Sequence, residues 1–228
     1  MAANNYSAAF AAMIVHEGSK YTDIAADRGG ATKYGVTQAT LSSWLKRPAT
    51  KAEVKALTLD DVKPIYKALY ANAVRFDELP VGIDYLSFDW AVNSGPKRAV
   101  TNLQEVLGLS QDGYLGPATV DAAWEAFRRD PALLVDCYAN ERAKFFRSVI
   151  ANNPSQKIFE KGWMRRVDEA RTLAHRMAKQ APQTAVHPAA PAPATTSAPK
   201  PETSSAVTPA TPAPDFWSWL ASVFSKGK

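Results

Sequence analysis

The residue best placed to do chemistry is Glu17, in the run Met13-Ile-Val-His-Glu17-Gly18 near the start of a 228-residue chain. Phe10, Met13 and Ile14 recur at helical spacing and put Glu17 one turn beyond them, at the end of a first helix that Gly18 stops. A carboxyl at a helix end, followed by a glycine-rich segment, can line a cleft wall and lose part of its water. Desolvation raises a carboxyl pKa, and a general acid working near neutral pH needs that rise. A glycosidic oxygen is a poor leaving group until protonated, so such an acid is the minimum equipment for hydrolysing a sugar chain. Taken alone the signal is weak, because most glutamates are solvated surface groups. His16 is adjacent but faces elsewhere on a helix. With three histidines in the chain and no clustered ligands, no metal site is expected, and His175 and His187 show no partner. No cofactor is expected either.

The elements that must position Glu17 are short helices with explicit punctuation. Residues 21–37 break the helical pattern with Gly29-Gly30 and Gly35, which suits a turn-rich hairpin. Gly30 and Gly35 there permit tight geometry or close backbone approach, and Tyr34 either stacks on a sugar or packs against the first helix. Helices resume at Leu41, Trp44 and Leu45 and end before Pro48. Thr50 with Glu53, and Thr58 with Asp61, have the spacing of capping boxes, the second opening a helix through Ile65, Leu69 and Tyr70 with Pro64 near its start. Residues 79–91 read as largely buried, and Gly95-Pro96 stops that run. Ala99, Leu103, Val106 and Leu107 form one face of the next helix, which Gly108 ends. Asp112-Gly113 and Gly116-Pro117 make a loop before Val120, Trp124 and Phe127. Asp130-Pro131 is a cap followed by a first-position proline, opening a helix through Leu134, Cys137, Tyr138 and Phe145. A last helix is predicted from about Ser155 to Lys179, with Phe159, Trp163, Val167, Ala170 and Leu173 inward. The class is mainly α with a small β excursion near the N-terminus.

Composition narrows the setting. The single cysteine, Cys137, excludes an intramolecular disulfide and fits a reducing cytosol. The N-terminus has no basic n-region, and no run approaches the length of a membrane span, so synthesis as a soluble cytoplasmic protein without a signal peptide is expected. The net charge is +5, and residues 128–179 hold twelve Lys or Arg against six Asp or Glu, a bias that suits a polyanion or a solvated helix face. No phosphate-cradling loop appears, and no nucleic-acid partner is expected. Residues 181–214 are almost all Ala, Pro, Thr and Ser and read as a flexible linker. It ends in residues 215–228, where Phe216, Trp217, Trp219, Leu220, Val223 and Phe224 make one helical stripe beside Lys226 and Lys228. Such a helix suits a membrane interface, or docking on a protein partner.

Two resemblances add to this reading. The run Met13 to Tyr21, followed by Asp27-Arg-Gly-Gly-Ala-Thr-Lys-Tyr-Gly-Val-Thr37, resembles the opening signature of glycoside hydrolase family 108, with Ser19-Lys20 standing where the family has one glycine. It is also similar to the phage-lysozyme pattern, in which a helix-end Glu is followed by an Asp and then a Thr. Thr32 falls at the pattern's distance from Glu17 and Asp27 one residue beyond it, an offset the longer turn explains. The resemblance implies a lysozyme-like fold with the hairpin beside the active site, Glu17 as acid, Asp27 stabilising positive charge at the sugar or positioning water, and Thr32 helping to hold that water. Asp23, just after Tyr21, is the rival second carboxylate, and either aspartate also suits a turn. Residues 90–95, WAVNSG, resemble the Asn-x-Gly segment at the phage-lysozyme cleft, so Asn93 either binds an N-acetyl sugar or caps its helix with Gly95. The second resemblance covers residues 93–171, where Asp112-Gly-Tyr-Leu-Gly-Pro-Ala-Thr119 and Gly162-Trp-Met-Arg-Arg-Val167 look like the peptidoglycan-binding partner of family 108 domains.

The organisation expected is a muramidase catalytic region over residues 1–92, a peptidoglycan-binding-like region or second lobe over 93–180, the linker and the terminal helix. The expected activity is endolysin-type, a monomer hydrolysing the β-1,4 bond between N-acetylmuramic acid and N-acetylglucosamine in peptidoglycan, reaching the periplasmic wall after holin-type release. A lytic transglycosylase acting on the same bond, and a non-catalytic wall-binding or assembly protein, are the rivals.

Overall fold

The structure, a computed structural model, describes residues 5–23 and 30–180. The proposed C-terminal helix at 215–228 lies outside the described residues, as does Asp27. Within them the protein is mainly α with one small antiparallel hairpin, as the sequence pattern indicates.

Helix α1 (Tyr6–Ile14) buries Tyr6, Phe10 and Met13. The hairpin strands β1 (Thr32–Lys33) and β2 (Val36–Thr37) pair Thr32 with Thr37 and Lys33 with Val36. Tyr34 and Gly35, the two turn residues between them, both have positive φ, 50° and 71°, as a type I′ hairpin turn requires. Thr22 pairs with the outer edge of Thr32 and ties the preceding chain to the hairpin.

Three short helices follow, each opened by a threonine. Thr37 caps α2 (Gln38–Leu45) by accepting from the Thr40 N–H. Full capping boxes open α3 (Lys51–Ala56), through Thr50 and Glu53, and α4 (Leu59–Tyr66), through Thr58 and Asp61. The predicted run through Leu69 and Tyr70 is helical but not α: after Tyr66 the chain widens into a π turn (Lys67–Ala71) and then tightens into a 3₁₀ turn (Asn72–Val74).

Helix α5 (Ile83–Ser94) is the hub, buried at every position from Ile83 to Asn93 and packed against α1, α6 (Pro96–Val106), α8 (Pro131–Asn152) and α9 (Glu160–Gln180). Gly95, with φ 87°, closes α5 and opens α6, and Pro96 takes the first position of α6, where its missing N–H costs nothing. Helix α7 (Pro117–Arg129) leads through Asp130, which caps α8 (Pro131–Asn152) by accepting from the Leu133 N–H. The last long helix, α9 (Glu160–Gln180), begins later than the sequence suggests. Asn153 accepts from the Ser155 N–H and starts a 3₁₀ segment (Pro154–Phe159), so the expected first turn of α9 is a separate element. His175, without a visible partner in the sequence, places Nε2 2.9 Å from Asp136 Oδ1 across the α8–α9 interface.

One hydrophobic core runs from Tyr6 to Met177 and joins Met13, Val62 and Phe88 to Leu103, Val135 and Ala170. A smaller cluster at the far end of the α8–α9 pair stacks Phe146 on Trp163 with ring centroids 4.8 Å apart. No helix among the described residues is long and apolar enough to cross a membrane. Because residues on both sides of Gly95 bury each other, a chain truncated after residue 95 should lack a cooperative unfolding transition, while the full chain unfolds in one step. Calorimetry of both proteins checks this, and two resolved transitions in the full chain would count against it.

Candidate active site

Glu17 lies in the turn that follows α1. The N–H groups of His16 and Glu17 donate to the carbonyls of Met13 and Ile14, each at 3.1 Å, and Gly18, with φ 76°, turns the chain away. The Glu17 side chain points inward and the residue is only 6% exposed.

The hairpin closes over it. A Cβ placed on Gly35 would stand 3.3 Å from Glu17 Oε2 and inside the hydroxyl of Tyr66, which donates to the Tyr34 carbonyl at 2.9 Å. Glycine at 35 is thus demanded twice, by its left-handed backbone and by the approach of two side chains. Tyr66 and Tyr70 stack obliquely with centroids 5.5 Å apart, and burial raises the pKa of both phenols, Tyr70 to about 12, with the Glu17 charge adding to the rise.

A second wall comes from the other end of the chain. Arg166 of α9 donates through Nη1 to Glu17 Oε1 at 3.1 Å and through Nη2 to Asp89 Oδ1 at 2.9 Å. Arg142 of α8 donates to the second oxygen of Asp89 at 2.6 Å. The result is a buried file of alternating charge, Glu17, Arg166, Asp89, Arg142, in which Asp89 has no exposed surface and Arg142 almost none.

The electrostatics follow from burial and from that order. Burial pushes the Glu17 carboxyl above the usual carboxylate range, and the neighbouring Arg166 pulls it back only in part. Burial would raise Asp89 too, but two guanidinium groups and their hydrogen bonds hold it well below the usual range. Burial disfavours the Arg166 cation, yet Asp89 and Glu17 more than offset that and keep it charged. His16 is pushed down by burial and by Arg166, so it is neutral near pH 7, with Nε2 3.9 Å from Glu169. Among the described residues no group of three His, Cys, Asp or Glu is gathered as a metal would need.

The other expected site residues are distributed around this centre. Asp23 is exposed and paired with Lys51 of α3 at 2.9 Å, outside the charge file. Thr32 is buried in β1, and its hydroxyl donates to the Gly30 carbonyl at 3.2 Å. Tyr34 packs against the core, with the Lys33 ammonium 5.3 Å from its ring centroid, which favours packing among the two readings open for it. Asn93 is 2% exposed and accepts from the Ser94 hydroxyl at 3.0 Å, while Gly95 rather than Asn93 caps α5. Asp89, Arg142 and Arg166 escaped the sequence reading. The available signal was Asp89 itself, an ionisable residue inside a run read as buried, which requires a partner. In the second half, Gln104 clasps the Asp112-Gly113 loop by accepting from the Gly113 N–H at 2.9 Å and donating to Asp112 at 2.7 Å, so that turn has a structural function.

The family model described as glycosyl hydrolase 108 matches residues 10–95, and that of a predicted peptidoglycan domain matches residues 98–168. The structure of Brucella abortus SagA is similar, with 36% sequence identity, 77% of this chain and 96% of that chain covered, and a TM-score of 0.64. The chain belongs to glycosyl hydrolase family 108. It is accordingly a glycoside hydrolase directed at peptidoglycan, on a lysozyme-like helical fold. No curated protein matches it. In this family 108 chain Glu17 and Asp89 fall in the first matched segment and Arg166 and Arg142 in the second, so the buried charges meet across the seam.

Gly35→Ala and Gly30→Ala both place a side chain at positive φ, but a Cβ at 30 meets only the flexible Gln38 side chain. Gly35→Ala should therefore cost about 1–3 kcal/mol more in urea unfolding than Gly30→Ala. It should also lower wall-digesting activity further. Equal losses for the two variants would contradict the close approach of Tyr66 and Glu17 to residue 35.

Proposed function

We propose that this hydrolase is an endolysin-type N-acetylmuramidase that cleaves the β-1,4 bond between N-acetylmuramic acid and N-acetylglucosamine, with Glu17 as general acid. The observation that carries the reading is a buried glutamate whose carboxyl burial pushes above the usual range, positioned by a helix end on one side and a glycine turn on the other. The Glu17 proton passes to the bridging oxygen as the bond to the anomeric carbon breaks, and positive charge grows on the sugar ring. Thr32, and Asp27 by the family resemblance, are the groups proposed to hold the attacking water or stabilise that charge.

A lytic transglycosylase is the second reading. Among the described residues, neither Asp23, paired with Lys51, nor Asp89, held by two arginines, is a free second carboxylate. A lone acid suffices for that chemistry. Mass analysis of muropeptides released from purified sacculi separates the two, since hydrolysis leaves a reducing end and the rival leaves a 1,6-anhydro sugar.

Glu17→Gln should abolish sacculus digestion while leaving the fold intact by circular dichroism. Full activity in that variant would remove Glu17 from the mechanism. Because the acid must be protonated, kcat/KM should be sustained below the raised Glu17 pKa and fall by about tenfold per pH unit above it.

We also propose that residues 215–228 hold the enzyme at an anionic bilayer, on the strength of their apolar stripe and flanking lysines. The full chain should float with anionic liposomes and a chain ending at residue 180 should not; equal flotation would count against membrane contact.

A further inference from the structure

Resting on Glu17 as the acid, we propose that Arg166 is a positioning residue of the glycosidase site, fixing the Glu17 carboxyl and balancing its charge after proton transfer. In this view Asp89 and Arg142 hold the guanidinium in place, and the segment matched as a peptidoglycan domain completes the catalytic centre.

The geometry is that of a fork shared between two acids. Nη1 reaches Glu17 at 3.1 Å, while Nη2 at 2.9 Å and Nε at 3.3 Å engage Asp89. Three donors in one rigid plane fix the direction of the Glu17 carboxyl, which a lysine ammonium on a flexible stem does not. Arg142 already occupies the other oxygen of Asp89, and its Nε and Nη2 are buried without partners. Asp89 thus has its countercharge without Arg166. A second guanidinium adds a buried positive charge whose remaining acceptor is Glu17.

Charge counting gives the function. With Glu17 protonated, two guanidinium groups face one carboxylate and the file carries a net +1; once Glu17 has given up its proton the file is neutral. Burial works to keep the proton on Glu17, and Arg166 reduces the electrostatic cost of its departure, so the acid is held yet remains able to donate. His16 feels the Arg166 charge and has Glu169 beside it, and Tyr66 and Tyr70 feel the Glu17 charge from the α4 side. His16 is neutral near pH 7 and both tyrosines keep their protons well above it, while Glu169 is half exposed beside His16. The buried cation beside Glu17 is therefore Arg166.

The test uses the full chain and the variants Arg166→Gln and Arg166→Lys. Two readouts are needed: the Glu17 carboxyl titration, followed by carbon-13 NMR of glutamate-labelled protein and assigned with Glu17→Gln, and the pH profile of kcat and KM on purified sacculi. Arg166→Gln should raise the Glu17 midpoint by about 1–3 pH units. The alkaline limb of activity should move with it, and kcat should fall at least tenfold with KM little changed. Arg166→Lys should keep the midpoint close to the parent value and still lose kcat, because it restores the charge without the fork. A folded Arg166→Gln protein with an unmoved Glu17 midpoint, or parental kcat in either variant, overturns the proposal. If Arg166→Gln does not fold, Arg166→Lys decides by its kcat. Full activity in Glu17→Gln would instead defeat the muramidase assignment of Glu17, whatever the midpoint does.

Discussion

Everything in this molecule turns on a conflict between desolvation and charge. Four ionisable side chains are taken out of water together, and a lone buried carboxylate or guanidinium would cost several kcal/mol. The alternating order in which they meet makes the arrangement tolerable. Each inner member touches opposite charges on both sides, so Asp89 and Arg166 stay ionised despite burial. Glu17, at the end of the file, has a single ionic partner, and it is the carboxyl whose pKa rises. Position in the file, rather than burial alone, separates the carboxyl held low, Asp89, from the one pushed up, Glu17.

The fold reads as a device for assembling that file. Glu17 comes from the turn after α1, Asp89 from the buried hub α5, and the arginines from α8 and α9, which lie against each other and against α5. The hairpin contributes a turn thin enough to sit on the acid, made so by Gly35, and Tyr66 braces that turn from α4. The smaller aromatic cluster of Phe146, Phe159 and Trp163 stiffens the α8–α9 pair close to Arg166 in sequence.

What the sequence made legible was local. Both capping boxes, the Asp130-Pro131 helix start and the Gly95-Pro96 break depend on residues at most three apart, and each is where the pattern puts it. Glu17 was legible because its neighbours carry a family signature. Its partners were not, because the contacts of Arg166 with Asp89 and Glu17 span 77 and 149 residues, and no periodicity reports on pairs so distant. The late start of α9 was missed for the opposite reason. Two hydrogen bonds from Ser155, through its N–H and its hydroxyl, to the Asn153 side chain divert the chain into a 3₁₀ segment whose composition looks like any helix. Of the two roles open to Asn93, capping falls to Gly95, two residues on, while the Asn93 side-chain oxygen accepts from the Ser94 hydroxyl.

The corner at Gly95, where one residue ends α5 and begins α6, coincides with the gap between the two matched family segments. Such a seam looks like a place where evolution could recombine parts, yet the halves share a core and a file of charges. A replacement second half would have to bring an arginine to the same spot on its last helix, in register with a glutamate encoded far upstream. The two segments are therefore coupled physically, since a charge buried in one has its counterion in the other.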